Sequence, residues 1–428
     1  MERELESTKD LPAPPTGVPK PENITRSRGM FSSLRHRNFQ LYFGGQLISV
    51  AGTWIQIIAQ GWLVYQITHS EFLLGVTSFA AAVPALIVSP WGGAVVDRVP
   101  KRTLLVITQS GSMLLAFVLA WLTYTNRVTE WQIIVLAAML GFINSFDAPG
   151  RQAFYVEMVE RQDLSNAIAM NSLMFNSARV IGPAVGGIML ATIGTAACFF
   201  INGLSFLAVI IGLLLMRLPK VKIKAHTVSL VHDLRSGMGY LVHNIELAGL
   251  ILIALVFNFF GMSYTAILPA FVDQVLKHSA AAYGWLNAAS GLGAVAAALF
   301  IASNGERGQR GRWLTTANLV FPILLMVFAF TVLFPVSLVL AFGLGIGFML
   351  QFTLINTLLQ TRVSDEMRGR IMGVYTLTIF GVGPFGNLVM GWLAQSWGLS
   401  LTIALSAAVA LALSIVILIR IPVIAKLK

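Results

Sequence analysis

The stretch 73–124, LLGVTSFAAAVPALIVSPWGGAVVDRVPKRTLLVITQSGSMLLAFVLAWLTY, holds two apolar runs parted by Asp97-Arg98-Val99-Pro100-Lys101-Arg102. A helix crosses about 30 Å of hydrocarbon with ~20 apolar residues at ~1.5 Å each, so either run can span a bilayer. The connection is too short for anything but a turn. The runs therefore read as a helical hairpin with its basic turn on one membrane face. Continuous rather than alternating apolarity favours helices over a barrel.

The same unit recurs outward in both directions. Further apolar runs cover 39–67, 131–148, 166–193, 196–216, 245–272, 282–302, 313–333, 336–360, 371–393 and 399–421. Of the 428 residues 56% are hydrophobic and 11% charged, against ~25% charged in soluble chains. The expectation is an all-α membrane protein of twelve transmembrane helices. Charge placement orients it. Arg127 and Lys277 are the basic residues of alternate loops and Arg179 lies inside a span, so 26 of the 29 Lys and Arg fall on one side. The positive-inside rule makes that side cytoplasmic, with both termini there. The net charge of +11 is then membrane topology and not a nucleic-acid surface. Cys198 is alone, which excludes a disulfide framework or a cysteine metal cluster.

The expected domains are a disordered tail at 1–37, a six-helix bundle at 38–218, a linker at 219–244, a second bundle at 245–421 and a short tail at 422–428. In the linker, Leu230, Leu234, Met238 and Leu241 share one helical face, which suits a helix on the membrane surface. The halves repeat. Gly182-Pro183 of the fifth span recurs as Gly383-Pro384 of the eleventh, Asp97-Arg98 is answered by Glu306-Arg307, and Arg161 by Arg362. Two pseudo-symmetric bundles about a midplane site are a transporter architecture.

Polar residues inside the spans mark the expected site, because unpaired amides in lipid are expensive. Gln46, Ser49, Thr53, Gln56 and Gln60 trace one stripe of the first span. Asn171, Phe175 and Arg179 share a face of the fifth, Asn258 and Thr265 one of the seventh, and Thr353, Asn356, Thr357 and Gln360 lie on the tenth. The expected substrate cavity is Gln46, Thr53, Gln56, Gln60, Asn171, Arg179, Asn258, Thr265 and Asn356. Trp54, Phe257, Tyr264 and Tyr375 suit an amphipathic ligand. Arg179 is costly at mid-bilayer, by ~2.5–3.5 kcal/mol on insertion scales, and must face the interior or water. It either contacts substrate or pairs with a carboxylate.

Gly93, Asp97, Arg98, Lys101 and Arg102 resemble the signature Gly-x-Leu-x-Asp-Arg-x-Gly-Arg-Arg of the major facilitator superfamily, with Val95 for the Leu and Pro100 for the second Gly. The resemblance covers roughly residues 36–421 and implies that these residues gate the cytoplasmic side; Arg151 is assigned to the same gate. Gly182-Pro183-Ala184-Val185-Gly186-Gly187 is similar to the Gly-Pro-x-x-Gly-Gly motif of the superfamily's exporters, with Gly182, Pro183, Gly186 and Gly187 as the helix-kink motif. Pro149-Gly150-Arg151-Gln152-Ala153 resembles the enterobactin-exporter and macrolide-efflux branch. No nucleotide-binding motif is present, so a gradient supplies the drive, and Asp147 is the candidate for proton coupling. The resulting expectation is a monomeric exporter in a bacterial inner membrane, in contact with lipid. It moves a small amphipathic compound (drug, siderophore or related metabolite) against protons, without cofactor, metal or enzymatic chemistry. The alternatives are an importer or facilitator on the same fold, a lipid or lysolipid transporter, and a non-transporting receptor.

Overall fold

A computed structural model describes residues 32–218, 230–304 and 309–427. The tail 1–31, the first part of the linker and the Glu306-Arg307 repeat lie outside them. The described residues form helices α1 (Arg37–Thr68), α2 (Glu71–Arg98), α3 (Lys101–Tyr124), α4 (Glu130–Met158), α5 (Leu164–Leu215), α6 (Leu230–Val242), α7 (Ile245–Val256), α8 (Tyr264–Gln274), α9 (Ala280–Asn304), α10 (Arg310–Phe330), α11 (Phe334–Arg362), α12 (Asp365–Trp397) and α13 (Leu399–Arg420).

Twelve crossings result, as the sequence led us to expect. α5 supplies two of them, because Gly194 breaks the helix at φ 81°, ψ 172°, where a side chain would be strained. α7 and α8 form one crossing joined by a π-helical turn, Phe257–Gly261. Ser263 Oγ donates to the Phe259 carbonyl at 2.7 Å just after that turn, replacing a regular backbone partner.

Six turns define one face, called here the far face, and five of them contain a residue at positive φ. These residues are His69, Asn126, Gly194, Lys277 and Gly398. Side chains fix two helix starts there. Ser70 accepts from the Leu73 amide, and Thr129 and Gln132 make a capping box. On the opposite, terminal face basic side chains satisfy carbonyls that a helix end leaves open. Arg102 donates to Leu214 O at 2.6 Å and Arg37 to Leu215 O at 3.4 Å, while Asn38 and Arg217 exchange two bonds.

In the first half α1 and α3 pack on α5, and α2 packs on α4; in the second, α9 packs on α11, and α10 on α11 and α13. The halves meet where α2 crosses α12 and α5 crosses α9. Both crossings are backbone to backbone. A β-carbon on Gly187 would lie 2.1 Å from Gly284 Cα, and one on Gly391 would lie 2.5 Å from Glu71 O and 3.2 Å from Gly75 Cα. Span 5 with span 8 and span 2 with span 11 are equivalent pairs under the repeat, so the halves touch through two related glycine contacts. Aromatic pairs reinforce them, Trp62 with Tyr283 at 6.2 Å and Phe79 with Phe385 at 5.2 Å.

Two expectations change. The fourth span runs past residue 148 to Met158, so Arg151 lies inside a helix and not in the loop after it. α6 packs on α12, with Gly237 against Arg370 O, but Leu241 is buried and Met238 is 60% exposed, so these two do not share one environment.

Candidate functional site

A cavity of about 1100 Å³ lies between the halves. Its two walls differ. From the first half come Ser49, Thr53, Gln56 and Gln60 of α1, Thr77 and Ser78 of α2, Gln109 and Ser112 of α3, and Asn144 and Arg151 of α4. From the second half come Tyr264, Thr265, Asn287, Ser290 and Asn387 among many apolar groups, including Met262, Leu286, Phe321, Phe328, Leu344 and Phe348. The first wall also carries Trp54, Ile57, Phe175 and Phe206, but the polar side chains concentrate on it, so the lining as a whole suits an amphipathic molecule. The lining runs on towards the terminal face through Phe175 and Ala148 on one side and Leu299 and Ala302 on the other. Neither α4 nor α5 makes a substantial contact with α11 or α12, so the described residues do not seal the cavity at that face. At the far face the glycine crossings close it.

The electrostatic centre sits on α4. Asn144, Asp147 and Arg151 follow one helical face at spacings of three and four. Asp147 is 1% exposed and forms an ion pair with the Arg151 guanidinium. Its Oδ1 also accepts from Thr108 Oγ1 and Gln109 Nε2, both at 2.8 Å. Arg151 donates in addition to Gln46 Oε1 at 3.1 Å and stands 5.8 Å from the Phe175 ring. A buried carboxylate is tolerable only when paired and hydrogen-bonded, and this one has both. Arg151 is the charged side chain that the described cavity wall presents to a ligand.

The α1 stripe divides by depth. Thr53, Gln56 and Gln60 line the cavity, whereas Gln46 is 1% exposed and spends its oxygen on Arg151. Gln56 Oε1 accepts from Asn202 Nδ2 at 2.6 Å, so part of the polar wall is held from behind by the second segment of α5. Thr265 lines the cavity, but Asn171, Asn258 and Asn356 do not. Asn258 donates to the Ala254 carbonyl, and Asn356 accepts from Gln360 at 2.6 Å one turn on. Of the aromatics, Trp54 and Tyr264 line the cavity. Phe257 packs edge-on against Phe321 at 4.8 Å, and the Tyr375 hydroxyl donates to Phe352 O.

The Gly-Pro segment is a packing device at this site. Pro183 lines the cavity, Gly182 and Gly186 lie against Trp54 and Ile55 of α1, and Gly187 makes the contact with α9. In the Asp97 loop, Lys101 donates to Val96 O and Arg102 caps α5, so both have a helix-capping role. The surroundings of Gly93 and the side chains of Asp97 and Arg179 lie outside those described, and Arg98 is exposed. Among the described residues no cluster of metal-ligating side chains occurs. Sequence reasoning missed Gln109, Ser112, Asn144 and Asn202. The polar cluster Thr108-Gln109-Ser110-Gly111-Ser112 in the middle of an apolar run was the available signal.

Comparison with known proteins now bears on the chain. The family model described as Transmembrane secretion effector matches residues 28–427. The chain belongs to this family of major facilitator superfamily transporters. The Staphyloferrin A transporter of Staphylococcus aureus is 26% identical over 369 residues, 85% of this chain and 91% of that protein. The Multidrug efflux pump Tap of Mycobacterium tuberculosis is 26% identical over 408 residues, 93% and 96% of the two chains. A solved bacterial homolog of the human lysosomal transporter Spinster, inward-facing and unoccupied, matches with a TM-score of 0.66 over 94% of this chain and 97% of that chain, at 13% identity. The chain is therefore a multi-pass membrane transporter of small molecules with efflux-type relatives, built as two six-helix bundles.

Proposed function

We propose that this transporter is a secondary active exporter that carries a small amphipathic compound (drug, siderophore or related metabolite) out of the cell by alternating access. The observation that supports it best is the two-walled cavity, unsealed by the described residues at the terminal face and closed by glycine crossings at the far face. The charge bias makes the terminal face cytoplasmic in a bacterial inner membrane, so the cavity loads from inside. The polar end of a substrate meets Arg151, Gln109 and Asn144; its apolar body lies on Phe321, Phe328 and Phe348. Protons provide the drive, at ~2.3 kcal/mol per charge per 100 mV. Asp147 is the coupling group. A proton taken up by Asp147 from outside breaks its pair with Arg151 and disturbs the site that holds the substrate, which leaves; proton loss to the inside restores the pair and the loading geometry, so the two cargoes use the site in turn. Efflux by a protein described as a Multidrug efflux pump, at 26% identity, supports the direction.

The test is a panel of labelled amphipathic compounds, measured for accumulation in cells with and without this gene and in inside-out vesicles with an imposed pH gradient. Lower accumulation in expressing cells, with uptake into acidified vesicles, is the expected result. Uptake into intact cells instead would make the protein an importer.

A further inference from the structure

The far-face closure has a second layer above the glycine crossings. Four hydrogen bonds pass from the second half to the first through two glutamine amides. Gln274, the last residue of α8, uses both hydrogens of its Nε2. It donates to Tyr65 Oη at 2.8 Å and to Glu71 Oε1 at 2.6 Å. Gln395, near the end of α12, uses one oxygen twice. Its Oε1 accepts from Ser70 Oγ at 2.8 Å and from the Phe72 amide at 3.2 Å. All four partners belong to the end of α1 and the first turn of α2.

We propose that Gln274 and Gln395 are positioning residues that latch the far face shut and must release before the cavity opens outward. The proposal rests on the alternating-access reading. The partners argue for a latch and against incidental surface bonds. The Phe72 amide is one of the donors that a helix start leaves without an internal partner. Ser70 covers the Leu73 amide from within the first half, and Gln395 covers Phe72 from the other half. The start of α2 is thus capped jointly by the two bodies that must separate. Glu71 is 7% exposed, and Gln274 donates to its carboxylate at the positive end of the α2 dipole. The Gly391 contact lies on the same turn, since a β-carbon there would meet Glu71 O. Separating the halves therefore breaks the crossing and both amide contacts together. Water at the rim replaces each lost bond, so the latch holds without being prohibitive to open. A net 0.5–1.5 kcal/mol per bond corresponds to about a two- to twelvefold shift in the far-open fraction.

The experiment uses the lone-cysteine character of the chain. Cys198→Ser removes the native thiol, and Thr265→Cys places a reporter on the exposed cavity wall. A membrane-impermeant maleimide is applied from the far face in intact spheroplasts and from the terminal face in inside-out vesicles. Gln274→Ala and Gln395→Ala each remove two bonds and should each raise far-face labelling about fivefold or more and lower terminal-face labelling. Gln395→Glu keeps the acceptor oxygens and should label like the parent. Gln274→Glu sets a second carboxylate against Glu71 and should open the far face most. Far-face labelling that varies among conditions but ignores all four variants would overturn the latch alone. A rise from both faces at once would also overturn it, as general loosening. A reporter that never reacts from the far face in any variant would refute alternating access itself.

Discussion

Gly187→Ala is the sharpest single perturbation of this fold. The added carbon would sit 2.1 Å from Gly284 Cα, 2.9 Å from its nitrogen and 3.2 Å from its carbonyl carbon. All three are backbone atoms, so no side chain can swing aside. Ordinary contact for a β-carbon begins at 3.4 Å, so α5 and α9 have to part by about 1.3 Å. Overpacking of this kind costs about 1–3 kcal/mol, and every 1.4 kcal/mol is tenfold in an equilibrium constant. The clash exists only while the far face is closed. The substitution should therefore shift the transporter towards the far-open state by about five- to a hundredfold rather than unfold it. Gly383→Ala is the internal control. It alters the repeat-equivalent Gly-Pro segment, where an added carbon meets nothing within 4 Å. The assay is two-sided maleimide labelling of the Thr265 reporter, with thermal unfolding in detergent alongside. Equal labelling and equal transport in Gly187→Ala and Gly383→Ala would refute the claim that this crossing closes the cavity.

The polar centre yields two more expectations. Asp147→Asn leaves the Arg151 guanidinium beside a neutral amide and should lower stability by about 1–3 kcal/mol, below the 3–5 of a fully buried pair because Arg151 keeps 19% exposure. A double-mutant cycle with Arg151→Gln, read by thermal unfolding, should give a coupling above about 1 kcal/mol; additive effects would show that the pair does not act as a unit. Asn202→Ala strips Gln56 of its donor inside the wall and should cost about 1–3 kcal/mol with the cavity otherwise intact, checked by thermal midpoint and by maleimide access at Thr265.

Much of the fold was legible because a bilayer imposes length and apolarity on each crossing. The break between the fifth and sixth spans was visible as well, since Gly194 falls where the two apolar runs part. The end of the fourth span was not. Hydropathy stops at Asp147 and Pro149, but Asp147 and Arg151 neutralise each other one turn apart, so the helix continues. The longer helix places Arg151, assigned from the sequence to the cytoplasmic gate, on the cavity wall. The π-helical turn in the seventh span left no period to read. Helical phase put Gln46 on the correct face but could not tell that its depth places it beneath Arg151. Contacts between distant segments were beyond reach for a simpler reason. Gln56 meets Asn202, and Gly187 meets Gly284, only after the helices pack. The glycines were visible as a motif, but their partners on the opposite half were not.

The most direct measurement is a pair of inter-half distances, taken by pulsed electron paramagnetic resonance in lipid nanodiscs with and without a compound that the efflux panel identifies. Labels at Arg127 and Val332 report the far face; labels at Glu160 and Ser364 report the terminal face. Alternating access about the cavity requires reciprocal change, with the far-face pair widening as the terminal-face pair narrows. Distances that stay fixed, or that lengthen together, would contradict it.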